Sequence, residues 1–171
     1  MKIYLSPIKE SDGNLIVRWR NSPKVKEHCF TKGDVTLESN AKFYKENILT
    51  GKYKQYLVNR VEEQYDVASY PIATVYLKDI DNENKRCELC IFTSDDEEWN
   101  TESQKIAIEM LLKKAFDEFK MHKVYSYVYA KNTDEITLLK ESGMNEEAIL
   151  KKEAMLNGKF EDVIRLCAVI D

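Results

Sequence analysis

The sequence predicts an α+β fold: a mixed, mostly antiparallel, twisted sheet of about seven strands with flanking helices. Three observations carry that reading. Short apolar runs recur along the chain, and two of them, Lys54–Val61 and Ile72–Ile80, alternate like paired antiparallel strands. One long segment, from Thr101 to Phe119, instead repeats its apolar residues at helical spacing. Near the C-terminus, Asn157-Gly158 joins two further runs and is a strong type I′ hairpin signal.

The elements follow in order. Ile3–Pro7 reads as a first strand. Ser11 or Asp12 can cap a helix that carries Leu15, Ile16 and Trp19, and Asn21-Ser22-Pro23 breaks it. A short helix covers about Lys24–His28. Thr36 opens another, roughly Leu37–Ile48, with Phe43 and Tyr44 facing inward. The two paired strands come next, with a polar connection at Glu62–Ser69, and Arg86–Phe92 is the fourth strand. Thr101 and Gln104 form a capping box for the main helix. Its core face is Ala107, Ile108, Leu111, Leu112, Ala115, Phe116 and Phe119. Lys123–Ala130 is a strand with Tyr125, Tyr127 and Tyr129 on one face, a pattern that suits sheet packing. Asn132 with Glu135 can cap a short helix that ends at Gly143, and Glu147–Met155 and Lys159–Val169 close the chain.

The bulk numbers bound the function. A chain of 171 residues fits one domain, residues 1–171, large enough for a core without staples. A net charge of −4 argues against nucleic acid as a partner, which needs a basic face. No apolar run reaches the length of a signal peptide or a membrane span, so a cytoplasmic protein is expected, with no membrane partner. Cys87 and Cys90 fall on a strand at an odd offset, which sends their side chains to opposite faces. They are therefore expected as free thiols, with no metal site.

The stretch from Glu88 to Phe119 runs strand, polar loop, long helix, an arrangement that aims backbone N–H groups at one spot where an anion can dock. The motifs here resemble those of the GNAT superfamily of N-acetyltransferases, whose members often read E-L-G-I, loop, W-G-x-G-x-G-T-E-A, then an apolar helix ending A-F. Glu88-Leu89-Cys90-Ile91, Trp99-Asn100-Thr101-Glu102-Ser103-Gln104 and Ala115-Phe116 match in that order. Downstream, Val124–Tyr129, Asn132 and Gly143-Met144 resemble the family's strand, Asn and Gly-Phe. Upstream, Val17-Arg18-Trp19-Arg20-Asn21 looks like the W-R-N start of a branch that acetylates amino-sugar nucleotides, polyamines and ribosomal proteins.

The resemblance implies transfer of acetyl from acetyl-CoA, without a metal, to a primary amine of a small molecule or a protein N-terminus. The amine attacks directly in a ternary complex, and the protein is a monomer or homodimer. Glu88 matches a strand Glu that serves some relatives as general base. Ile91, Phe92 and Thr93 match backbone that pairs with the pantetheine arm. Trp99, Asn100, Thr101, Glu102, Ser103, Gln104 and Lys105 match the pyrophosphate loop, and Asn132 a further cofactor contact. Trp19 and Arg20 match the acceptor cleft; for Trp19, a core role competes, given its apolar helix face.

The sequence also departs from the family. No glycine lies between Gly51 and Gly143, although glycines let the loop backbone approach the phosphates. Glu102 places a carboxylate in the first helical turn, where a phosphate would use the same field. Leu139 stands where many members carry a tyrosine acid; Tyr127 or Tyr129 are candidate substitutes if their strand opens into the cleft. These departures favour the alternative reading, a GNAT-fold binding or regulatory module that no longer uses acetyl-CoA. His28 and His122 occur singly and receive no role.

Overall fold

The structure, a computed structural model, describes residues 1–62 and 68–170. Seven strands form one sheet: β1 (Ile3–Pro7), β2 (Lys54–Val61), β3 (Ser69–Asp81), β4 (Arg86–Cys90), β5 (Lys123–Tyr129), β6 (Asn145–Leu156) and β7 (Lys159–Val169). Their order across the sheet is β1-β2-β3-β4-β5-β7-β6. Every neighbouring pair is antiparallel except β4 and β5. The expected connection across 62–69 lies mostly outside the described residues. Among those described, no helix is long and apolar enough to cross a membrane.

The alternation along β2 assigns the helices to the two faces, because successive strand side chains point to opposite sides. Leu57 packs with Ile8, Ile16 and Trp19, so α1 (Gly13–Asn21) covers one face. Tyr56 and Val58 join Ala107, Ile108, Leu111 and Leu139, so α4 (Thr101–Lys113) and α5 (Thr133–Glu141) cover the other. Each Leu or Ile of α4 that is fully buried contributes roughly 1.5–3 kcal/mol. Between α1 and β2 run the short α2 (Pro23–Lys26) and α3 (Leu37–Phe43), the latter extended by one wide turn at Tyr44–Ile48.

Local chemistry sets several boundaries differently from the sequence reading. Asp12 does not cap α1 with its side chain; Oδ2 instead accepts from the Lys9 amide at 2.7 Å. Ser22 caps α2, accepting from Val25, with Pro23 in its first turn, so the break is also a start. Strand β4 ends at Cys90 and not Phe92, because Phe92 turns to φ 23°, outside strand geometry. The α4 cap lies one residue earlier than expected. Asn100 Oδ1 accepts from the Glu102 and Ser103 amides, while Gln104 Nε2 reaches back to the Trp99 carbonyl at 2.9 Å.

Other local readings hold. Gly143, at φ 98°, ends α5: its amide bonds Lys140 O, and the Met144 amide bonds Leu139 O. Asn157 and Gly158 both adopt positive φ in the closing hairpin, as a type I′ turn requires.

Candidate active site

The site begins where β4 and β5 part. They pair in parallel for three positions, Arg86 to Glu88 against Lys123 to Tyr125, and then diverge. Ser126 Oγ donates to the Leu89 carbonyl at 2.9 Å across the start of the gap. Beyond it lies a cleft lined by Glu88, Cys90, Phe92, Tyr76, Arg20 and Tyr127, among others.

Strand alternation sorts the β4 side chains. Cys87, Leu89 and Ile91 point into the core beneath α4, and Glu88 and Cys90 point into the cleft. The two cysteines do face opposite sides, and all four cysteines are free. Glu88 is 6% exposed. Its partner in the β3 register is Lys78, whose Nζ lies 3.4 Å from Oε2. The Cys90 thiol lies 3.5 Å from the other carboxylate oxygen. Burial raises the Glu88 pKa above the ordinary carboxylate value, with Lys78 pulling the other way. The Cys90 thiol is pushed well up by the same burial and stays protonated.

Two larger hollows flank this cleft. One, of about 630 Å³, lies between the first turns of α4 and α5; Thr101, Gln104, Lys131, Asn132 and Thr133 line it, with the carboxylates of Asp134 and Glu135. The α5 N-terminus presents amides without a side-chain cap and the positive end of the dipole, features that suit a phosphate. The second, of about 990 Å³, opens between α1, α3 and strands β2 and β3.

The predicted residues divide accordingly. Ile91, Phe92 and Thr93 all line the central cleft. Thr101, Gln104 and Asn132 line the hollow between the two helix ends. Trp99 and Ser103 are 2% and 0% exposed, so their side chains serve the core. Asn100 spends its side chain on the α4 cap. Glu102 is bent to the Met1 amino group at 2.6 Å, and Lys105 does not line the hollow. Arg20 reaches both the cleft and the larger hollow. Trp19 does not: it is fully buried against Ile16 and Leu57, a core residue and not an acceptor contact. Among the tyrosines, Tyr127 lines the cleft, whereas Tyr129 packs with Leu156 and Val163. Leu139 is fully buried.

The sequence reading missed His28 and Glu135. His28 stacks on Phe92 with centroids 4.5 Å apart. Its Nδ1 lies 3.2 Å from Glu135 Oε2 and 3.2 Å from Asn132 Nδ2. The imidazole thus joins the segment after β4 to the start of α5, at the boundary between the cleft and the hollow at the helix ends. Burial raises the Glu135 pKa, against the opposing pull of His28. A buried-side Glu one helical turn before Leu139 is the one signal in the sequence that points here.

Comparison with known proteins follows this geometry. The family described as acetyltransferase (GNAT) domain matches residues 2–145. A curated spermidine N(1)-acetyltransferase of Vibrio cholerae is 21% identical over 165 residues, which cover 96% of this chain and 91% of that protein. A crystal structure of spermidine N-acetyltransferase from Vibrio cholerae, in complex with CoA and spermine, superposes with a TM-score of 0.87 at 22% identity, covering 98% of this chain and 95% of that one.

Proposed function

The chain belongs to the GNAT acetyltransferase family, and we propose that Glu88 is the base with which it moves acetyl from acetyl-CoA to a primary amine of a small molecule. The carrying observation is the position of that carboxylate. It is buried, its pKa is raised, and it lines the central cleft, which shares Phe92 with the hollow at the helix ends and Arg20 and Lys78 with the larger one.

The residues present fit acetyl-CoA. Amides in the first turn of α5 have no side-chain cap, and Lys131 stands beside them. From there a route leads past Phe92 into the gap between β4 and β5, where Ile91 to Thr93 line the way. Bound there, acetyl-CoA supplies the activated thioester. The chain's own residues do the rest. Glu88 takes the proton from the incoming ammonium, and Lys78 beside it keeps the carboxylate ionised. Tyr127 carries the one hydroxyl of the tyrosine row that lines the cleft, and it takes the role of proton donor that Leu139 cannot fill. The free thiols suit a reducing compartment such as the cytoplasm.

Two measurements test this. Glu88→Gln should lower kcat by roughly 10²–10⁴-fold, the usual worth of a general base, while calorimetry with acetyl-CoA stays unchanged. Retained turnover would remove Glu88 from the role. Lys78→Met removes the charge that lowers the Glu88 pKa, so that pKa rises further. The acid limb of kcat/KM should then move to higher pH; a limb that stays or falls reports some other group.

A further inference from the structure

The acceptor hollow between α1, α3 and the β2–β3 strands has a lopsided lining. Its charged members are Arg20 and Lys78, and no carboxylate among the described residues lines it. Uncharged polar residues, among them Tyr53, Tyr76, Asn40, Gln55 and Ser39, line it as well. Lys78 is already paired with Glu88. Arg20 is half-buried, and its one side-chain hydrogen bond runs from NH1 to Cys29 Sγ at 3.1 Å. Among the described residues it pairs with no carboxylate. Asp79 acts on Tyr53 and Lys78 from nearby but does not line the hollow.

A guanidinium withdrawn from water without a counter-charge is costly, and a thiol is a poor partner for it. The planar fork is built to grip a carboxylate or a phosphate through two parallel hydrogen bonds. A polycation in this hollow would meet Arg20 with no acid to balance it. Arg20 also lines the central cleft together with Glu88. One small molecule can therefore present its amine to Glu88 and an anionic group to Arg20.

We propose that the acceptor is an amine that also carries a phosphate or carboxylate, held by Arg20, and not a polyamine. The proposal rests on the acetyl-transfer reading above.

The test is calorimetry on the full chain with CoA present, paired with initial rates of acetyl transfer. The probes are ethanolamine against 2-aminoethyl phosphate, β-alaninamide against β-alanine, and spermidine. The anionic member of a pair should bind about tenfold tighter, the worth of one charge-assisted contact. The pair that shows the larger preference identifies phosphate or carboxylate as the anion. Arg20→Gln should erase the preference and Arg20→Lys, which keeps the charge but not the fork, should retain only part of it. The Lys variant and the wild-type comparison decide the matter even if the Gln variant folds poorly. Equal binding within both pairs, or tighter binding of spermidine, overturns the proposal. If spermidine is acetylated fastest, acetyl transfer stands and the anion site falls. If the anionic amines bind selectively but no acetyl moves, the anion site stands and the transfer reading falls.

Discussion

The N-termini of α4 and α5 face the same hollow and are built in opposite ways. At α4, Asn100 occupies the Glu102 and Ser103 amides, and Asp96 with Ser94 takes the loop amides before them. At α5, Asn132 sits in the cap position but turns its amide to His28 and Glu135. No side chain among the described residues then accepts from the Thr133, Asp134 or Glu135 amides. The loop that resembles a pyrophosphate cradle is thus largely closed by its own side chains. The helix that looks like a plain structural element has the open donors. A capping residue is a competitor for any anion that would bind there, so the same residue type, Asn, closes one end and leaves the other free.

That contrast can be tested at both ends, and the α5 end should give the larger effect. Thr133→Pro deletes one amide at a position where proline is compatible with the helix, so the melting temperature should hold. Acetyl-CoA affinity should fall by about tenfold or more, the loss of one hydrogen bond to a charged group. An unchanged affinity would mean that the phosphates do not use α5. At the other end, Asn100→Gly should uncover two α4 amides and return a glycine to the loop. Affinity should rise by roughly fivefold if those amides then reach a phosphate, with only a few tenths of a kcal/mol lost in stability. Weaker binding would show that Asn100 itself touches the cofactor. The smallest effect is electrostatic. Asp134→Asn should tighten acetyl-CoA by about twofold, because it removes like charge from the open end. Glu102→Gln should do less, since that carboxylate is bent to the Met1 amino group. The reverse ranking would return the phosphate site to α4.

Much of the fold was legible because its determinants are local. Asn157-Gly158 sets its hairpin by its own φ values, and Gly143 ends α5 with bonds to residues within five positions. The apolar spacing of Ala107 to Ala115 names the buried face of α4 without help from the rest of the chain. The cleft position of Glu88 was legible through the E-L-x-I pattern and its place on a strand that leads into the polar loop. Cap positions were less so. Asp12, Asn100 and Asn132 all have plausible capping chemistry; Asp12 spends it on the Lys9 amide three residues back, distant His28 draws Asn132 away, and Asn100 caps α4. His28 was invisible for a stronger reason. Its meaning depends on Glu135, 107 residues away, and on Phe92, whose backbone leaves the strand. Trp19 and Arg20 are adjacent in sequence and differ in fate, because a helix sends neighbours to different sides.

The parting of β4 from β5 after Glu88 has a consequence for the protein's solubility as well as for its chemistry. An unpaired strand edge is a template on which other chains can polymerise, and exposed edges are usually blunted by charge, bulges or covering loops. Here an edge is opened in the middle of the sheet, between two strands that are held on their far sides by β3 and β7. Ser126 stitches the inner end of the opening. The sheet thus holds the hydrogen-bonding groups of an edge in its interior, between two anchored strands, and not along an outer rim where other chains pair.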